Sequence, residues 1–531
     1  MQEVTIAPGQ TLWDALAYHG IQLTRPCGGR GICGGCKVYV DGLGAVLACR
    51  FDTPGTYRVS TSEPAGYHAV MNQGGQGRYD AMRQSEPESN DAVRQSELER
   101  DDVMRQSESG SDDALRQSDL AGKPQEDNHP HSVFIAVDIG TTTVALSGIC
   151  RERTAQEGFL NPQRSFGADV ISRIAAANAG QGDELCAMLM EPLMEALERM
   201  RARLNRDCTH CIVGIAANTT MLHILRGFSC EGLGQAPFAP VDLSSGHDVW
   251  RGVRAEFDIY YMPGISAYVG ADIVSGIYGL DMKERQEVTM LLDLGTNGEM
   301  AIGNCNRLLC ASAAAGPAFE GSPLALQIHA SGILKCLHKL RKCGMIDEYG
   351  LLDEEYFEQG YPVEQLMEAE TDETADEQCP AIRKLRITQE DIREIQMAKS
   401  AIRAGIELLL KEYGVDARDV SKVYLAGGMG YYIDPMDAVG IGLLPAAFAD
   451  KTEAVGNSCL MGLLRAYGAM GDEAYMQGGA PRTAQASDTE ANLQWREVLT
   501  AWKDIADSAE EIVLAEHPDF AELYIEEMNF E

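Results

Sequence analysis

Apolar residues in this chain fall into short unbroken runs, alternating stretches and one long helical stripe. Val133–Val137, Met290–Leu292 and Val423–Leu425 are runs of the kind that form strands buried on both faces. Each leads into a turn rich in glycine, hydroxyl or acidic residues. The first is Asp138-Ile139-Gly140-Thr141-Thr142-Thr143 and the second Asp293-Leu294-Gly295-Thr296-Asn297-Gly298-Glu299. The third is Ala426-Gly427-Gly428-Met429-Gly430. Ahead of the third run, Ile392, Ile395, Ile402, Ile406 and Leu409 share one helical face. Thr388 with Asp391 supplies a capping-box start, so a helix is predicted from about Thr388 to Lys411. Near the N-terminus, Val4-Thr5-Ile6 alternates as a strand, and Thr11 caps a short helix through Leu12, Leu16 and Tyr18. Lys37–Val40 and Tyr57–Val59 read as further strands, with Asp41-Gly42 as a turn.

Between these regions the pattern changes. Arg-Gln-Ser recurs at 83–85, 94–96, 105–107 and 116–118, in units that start at Asp80, Asp91, Asp102 and Asp113. An eleven-residue period makes three helical turns and would align Met82, Val93, Met104 and Leu115. A stripe that thin buries little, and Pro87, Gly110 and many Ser and Glu residues oppose helix. The reading is a mostly disordered linker, with transient or partner-bound helix as the alternative. As a coil of about 65 residues it would span roughly 45 Å.

Composition narrows the function. The chain has 531 residues and a net charge of −36, which argues against nucleic acid and against an anionic membrane surface. There is no run of 18 apolar residues. The opening MQEVTIAPGQ lacks the basic and apolar regions of a secretory signal. Fifteen cysteines without dense disulfide spacing fit a reducing, cytoplasmic setting. Cys208 and Cys211 form a C-x2-C with no second pair nearby, and are read as buried small apolar residues.

Cys27, Cys33, Cys36 and Cys49 are spaced C-x5-C-x2-C-x12-C, interleaved with Gly28, Gly29, Gly31, Gly34 and Gly35. Four soft thiolates in a glycine-rich loop suit a 2Fe-2S cluster. The plant-type spacing is C-x4-C-x2-C, one residue shorter in its first gap. A four-thiolate zinc site favours two C-x2-4-C pairs and fits less well. The flanking strands resemble a β-grasp 2Fe-2S ferredoxin whose opening hairpin lacks its first strand.

Each strand-and-turn unit alone is weak evidence. Glycine lets backbone N–H groups face phosphate, threonine hydroxyls add donors, and aspartate holds Mg²⁺ directly or through water. Three units in order resemble the phosphate-1, phosphate-2 and adenosine motifs of the acetate/sugar kinase, Hsp70 and actin superfamily. That fold closes two α/β lobes on ATP. The resemblance implies that Asp138 and Asp293 serve the metal, Thr141, Thr142 and Thr296 the phosphates, and Gly427 and Gly428 the adenosine. It also puts Gly140, Gly295, Asn297 and Gly316 in the nucleotide set. Glu299 and Glu320 are candidates to orient the attacking water, or are structural acids.

NPQRSFGADVISR at 161–173, AANTTML at 216–222, VGADIVSG at 269–276 and AGPAFEG at 315–321 extend the likeness. Together with the N-terminal module and a closing segment from Glu511 to Glu531, the chain resembles the reductive activators of corrinoid proteins. That family implies a multidomain α/β chain. Its parts are a 2Fe-2S domain at 1–64, a linker at 65–130, a middle domain at 131–208 and a large actin-like ATP domain at 209–531. It also implies a corrinoid methyltransferase partner, a low-potential electron donor and a homodimer. In that reading, ATP drives transfer of one electron from the cluster to inactive Co(II), restoring Co(I). The rivals are an activator of another low-potential reductase or dehydratase, a ferredoxin-fused small-molecule kinase, and a non-catalytic carrier or assembly protein.

Overall fold

The computed structural model describes residues 2–6, 10–18, 37–40, 44–48, 55–60, 133–167, 169–295, 297–318, 325–367, 385–469 and 488–530. The predicted linker, the cluster cysteines, Thr296 and Glu320 lie outside them.

At the N-terminus, β1 (Gln2–Ile6), β2 (Lys37–Val40), β3 (Gly44–Leu47) and β4 (Gly55–Ser60) form a sheet in the order β1-β4-β2-β3. All three pairings are antiparallel. Helix α1 (Leu12–Tyr18) buries Leu12 and Leu16 in the same small core as Val4, Val38 and Val59. Among the described residues a single strand, β1, precedes this helix.

Two larger sheets follow. The first combines β5 (Val133–Ile139), β6 (Thr143–Cys150), β7 (Arg153–Leu160), β8 (His210–Ala217), β9 (Gly246–Arg251) and β10 (Glu256–Tyr261). Its order is β7-β6-β5-β8-β10-β9. The second is built on β11 (Thr289–Leu294), β12 (Gly298–Gly303) and β13 (Leu308–Ala313), with β14 (Tyr361–Pro362) and β15 (Arg386–Ile387) forming a small separate pair. It is completed by β16 (Lys422–Ala426), β17 (Thr452–Gly456) and β18 (Ala509–Glu511), in the order β17-β16-β11-β12-β13-β18. In each sheet a meander of three antiparallel strands is extended by a parallel partner of its first strand. One plan is therefore used twice. The apolar runs are the first strands, β5 and β11, and the parallel neighbour β16.

Helices cover the sheets. In the first lobe these are α2 (Val170–Ala176), α3 (Gly182–Leu204) and α4 (Thr219–Leu225). The boundary expected at residue 208 falls inside this lobe. The chain leaves β7, crosses through α3 and returns as β8 parallel to β5, so residues on both sides of 208 share one sheet.

Helix α5 (Ala271–Gly279) leads out of the first lobe. The second carries α6 (Ala325–Lys342), α7 (Gln389–Tyr413) and α8 (Gly427–Gly430), while α9 (Ser458–Ala469) leaves it after β17 and packs on β5, β6 and β8 of the first. The predicted capping box opens α7: Asp391 N donates to Thr388 Oγ1 at 3.2 Å, and Thr388 N to Asp391 Oδ2 at 2.8 Å. Gly414, at φ 84°, closes it. The predicted stripe is buried, with Ile392, Ile395, Ile402, Ile406 and Leu409 each at most 2% exposed. Burying such a side chain contributes about 1.5–3 kcal/mol. Helix α10 (Asp488–Ser508) packs Trp502 into the first lobe's core, and α11 (Phe520–Glu526) lies on α7. Among the described residues no helix is long and apolar enough to cross a membrane.

The lobes meet where α5 crosses α9. A Cβ on Gly462 would lie 2.0 Å from Ser275 O, and one on Gly279 would lie 2.8 Å from Gly462 N. Glycine on both helices is what permits so close a crossing. Ser275 Oγ donates to Cys459 O at 2.7 Å across the contact.

Candidate active site

The duplicated plan puts two aspartates in equivalent places. Asp138 is the last residue but one of β5, and Asp293 the last but one of β11. Both lie by the N-terminal ends of α5 and α9, where Asp272, Asn457, Ser458 and Cys459 are found. Asn457, just before α9, donates from Nδ2 to Asp138 Oδ2 at 2.6 Å, and the Cys459 thiol donates to the same carboxylate. Ser458 Oγ donates to Asp293 Oδ2 at 3.2 Å. One helix start from the second lobe thus touches both aspartates.

Two further acids complete the cluster. Asp272 stands in the first turn of α5, its Oδ1 accepting from Ile273 N at 2.9 Å. Glu299 pairs across the β11–β12 ladder with Asp293, and its Oε1 accepts from Asn297 Nδ2 at 3.2 Å. All four carboxyls are half-buried. Burial raises Asp138 to about 6, against the hydrogen bonds from Asn457 and Cys459. Burial and then the Asp138 charge raise Asp272 to about 7. Burial, followed by the charges of Asp272 and Asp293, pushes Glu299 well above the usual carboxylate range. Burial and the nearby aspartates push the Cys459 thiol well up, so it stays a neutral donor.

The phosphate-1 turn is braced from behind. Gly140 N donates to Thr143 O at 2.9 Å, and a Cβ on Gly140 would meet that oxygen at 2.8 Å. Asn218 Nδ2 donates to Thr141 Oγ1 at 3.1 Å, and Asn161 Nδ2 to Gly140 O at 2.9 Å. Thr142 O accepts from Asn161 N at 2.9 Å. Arg173, wholly buried, donates from Nη2 to Thr141 O and from Nη1 to Met221 Sδ at 3.1 Å. Burial lowers its guanidinium to about 10. The segments at 161–173 and 216–222 are therefore the back wall of this turn.

On the other side, Gly295 N donates to Asn297 O at 2.9 Å in the phosphate-2 turn. Gly427 has φ 84°, and a Cβ there would lie 2.5 Å from both Asp293 Oδ1 and Leu294 O. Glycine at 427 lets the turn after β16 lie against the phosphate-2 strand; Gly428 follows in α8. Gly316, at φ 71°, starts a short turn after β13.

The structure thus brings together Asp138, Gly140, Thr141, Asp293, Glu299 and Gly427 from the sequence-derived set. Asp272, Asn457, Ser458 and Cys459 were not assigned from sequence. Asp272 lay inside the segment at 269–276, but Asn457–Cys459 carry no motif, and their contacts arise from the fold alone.

These are hard oxygen donors, the kind Mg²⁺ takes. Among the described residues no three His, Cys, Asp or Glu side chains are placed to grip one ion together. That arrangement fits an ion keeping several of its waters. The first turns of α5 and α9 add the positive ends of two helix dipoles, which favour phosphate.

Comparison with known proteins agrees with this geometry. Residues 133–285 match the family model described as RACo middle region. Residues 287–330 and 324–477 match the C-terminal domain of RACo, the ASKHA domain. A corrinoid activation enzyme from Eubacterium limosum, RamQ, is 29% identical over 385 residues, 63% of this chain and 64% of that protein. A reductase of the Co(II) methylated amine-specific corrinoid protein from Methanosarcina barkeri is 27% identical over 235 residues, 38% of this chain and 43% of that protein. The chain thus spans less than two thirds of the length of these relatives. A solved reductive activator for corrinoid, iron-sulfur protein superposes with a TM-score of 0.59 and 22% identity, covering 99% of this chain and 96% of its own, so the fold is shared.

Proposed function

The chain belongs to the RACo family, carrying its middle region and its ASKHA domain, and on that premise we propose that it is an ATP-dependent reductive activator of a corrinoid protein. The substrate is the inactive Co(II) corrinoid of a methyltransferase system, which takes one electron and becomes Co(I). The observation that carries this reading is the meeting of Asp138, Asp272, Asp293 and Glu299 where two like-built lobes join.

The residues divide the work as follows. Backbone N–H groups that follow Gly140 and Gly295 receive the phosphates, with Thr141, Thr142 and Thr296 adding hydroxyls. Asn161, Arg173 and Asn218 hold the first turn in shape. Gly427 and Gly428 border the adenosine. Asp138, Asp272 and Asp293 would hold Mg²⁺ through its waters, and the ion would supply neutralisation of phosphate charge. Glu299, whose carboxyl is raised by burial and by its acidic neighbours, is a candidate to orient the attacking water. Glu320 remains a second candidate. Asn457 and Ser458 join the lobes through the two aspartates, so charge changes at the phosphates reach the α5–α9 crossing.

In the same proposal, residues 1–64 form a β-grasp domain with a 2Fe-2S cluster on Cys27, Cys33, Cys36 and Cys49. The donor chemistry fits, since thiolates suit iron–sulfur clusters. Strand register supports it: Lys37, next to Cys36, pairs with Leu47, two residues before Cys49. A 2Fe-2S cluster would supply one electron at roughly −400 mV. Each further 100 mV uphill costs about 2.3 kcal/mol for one electron, which ATP hydrolysis offsets. Residues 65–130 act as the tether between this domain and the ATP-binding body.

The test is ATP turnover with and without a Co(II) corrinoid protein. Stimulation by the partner, lost in Asp293→Ala, supports the proposal. Turnover indifferent to the partner, or phosphate transferred to a small metabolite, overturns it.

A further inference from the structure

The C-x2-C at 208–211 has no part in nucleotide binding, yet its two thiols are not ordinary core residues. Cys208 Sγ and Cys211 Sγ stand 3.7 Å apart. Cys208 lies in the connection between α3 and β8, and Cys211 is the second residue of β8. Cys211 pairs with Val133, the first residue of β5 and the point where the chain from the tether enters the body.

We propose that Cys208 and Cys211 are a redox-active dithiol that takes a small anionic disulfide of the glutathione class as its oxidant. Three observations point there. First, the sulfurs already face each other and need to close by about 1.7 Å to bond. Second, the thiols are unequal. The hydrogen bond from Cys211, outweighing burial, and the Arg201 charge hold Cys208 below the ordinary thiol range, while its Sγ also stands 3.0 Å from His210 O. The shared proton and burial push Cys211 far up. A low attacking thiol beside a high resolving one is the arrangement of C-x2-C oxidoreductases. By contrast, burial raises the isolated thiols of Cys230 and Cys336. Third, the chain carries a net charge of −36, yet arginines gather at this loop. Arg201 Nη1 donates to Cys208 O at 3.2 Å and Arg153 Nη1 to Leu204 O at 3.3 Å, and Arg206 sits two residues before Cys208. Glu198 pairs with Arg201 at 3.0 Å and Asp207 adjoins Cys208, so the exposed Arg206 is the cation left to draw an anionic oxidant to the loop.

Access runs through the loop. Cys208 is 2% exposed and Cys211 is fully covered. However, Arg206, Asp207, Thr209 and His210 are all exposed, so lifting a few residues uncovers Cys208 first. The Cys208 thiolate attacks one sulfur of the oxidant and forms a mixed disulfide, expelling one thiolate. Cys211 then attacks Cys208 Sγ as its proton passes to the first released thiolate, forming the internal bond and expelling the second. The two protons of the cysteine thiols end on the two released thiols. The cysteines are oxidised by two electrons and the oxidant is reduced by two.

The test uses full-length native protein with glutathione disulfide as the probe. After quenching, unfolding and alkylation, trypsin releases residues 207–226, which contain these two cysteines and no other. The expected result is a peptide two hydrogens lighter that takes no alkyl group, restored by dithiothreitol. Cys211→Ser should trap glutathione on Cys208, and Cys208→Ser should abolish modification at Cys211. A wild-type peptide that always takes two alkyl groups overturns the proposal, whatever the variants do. So does a Cys208→Ser protein modified at Cys211 as fast as Cys211→Ser is modified at Cys208.

Discussion

Replacing Asp272 with Asn should make the ligand-free protein more stable and the enzyme inactive, with both effects tracing to one half-buried charge. The Asp272 carboxyl is raised from the ordinary 3.8 to about 7, first by burial and then by Asp138. That gap corresponds to about 4 kcal/mol against the ionised form. Water reaching a half-buried group lowers the figure to about 2 kcal/mol. The native state holds this proton more tightly than the unfolded chain does. Its contribution is therefore fully present below about pH 4, fades as pH rises toward 7, and stays lost above. Asn is nearly isosteric with the protonated acid and has nothing to lose. Urea unfolding in the presence of a chelator should show variant and parent alike near pH 4. At pH 8 the variant should lead by about 2 kcal/mol. Added Mg²⁺ and ATP should stabilise the parent and leave the variant unmoved, because a ligand shifts stability only where it binds. A variant equal to or weaker than the parent at pH 8 would refute the idea that an ionised, half-buried Asp272 is costly in the ligand-free cleft.

Gly462→Ala places a methyl 2.0 Å from Ser275 O, where real contacts need over a further ångström, so α5 and α9 must separate. Overpacking of this kind costs about 1–3 kcal/mol, measurable by urea unfolding, and ATP turnover should fall with it. Arg173→Met keeps the bulk behind the phosphate-1 turn but removes the donor to Thr141 O. Since Arg173 is a buried cation, stability should change little, while KM for ATP rises about tenfold, or 1.4 kcal/mol, in steady-state kinetics. An unchanged KM would mean that the arginine only fills space.

Elements were legible in the sequence where one local pattern decided them. The runs before Asp138 and Asp293 became β5 and β11, and the capping box at Thr388 and Asp391 opens α7 as its residues dictate. Asp138 and Asp293 could be found because a strand, an acid and a glycine turn are contiguous. Asp272 and Asn457 could not, because their meaning is made by distance: Asn457 reaches Asp138 across 319 residues. The pairing of β8 with β5 on either side of residue 208 was not legible for the same reason, since local composition does not show it. The braces Asn161, Arg173 and Asn218 lie inside the segments at 161–173 and 216–222 that carried the resemblance. Their task of holding one turn appears only when α2, α4 and the β5–β6 hairpin are packed together.

The central claim is that nucleotide lets a weak one-electron donor reduce a harder acceptor. It is tested most directly by titrating the Co(II) corrinoid partner, at one fixed donor potential, while recording the absorption of Co(I). Co(I) should accumulate only when Mg²⁺ and ATP are both present, and should fail to do so with Asp293→Ala. Equal Co(I) in the absence of nucleotide would contradict the account.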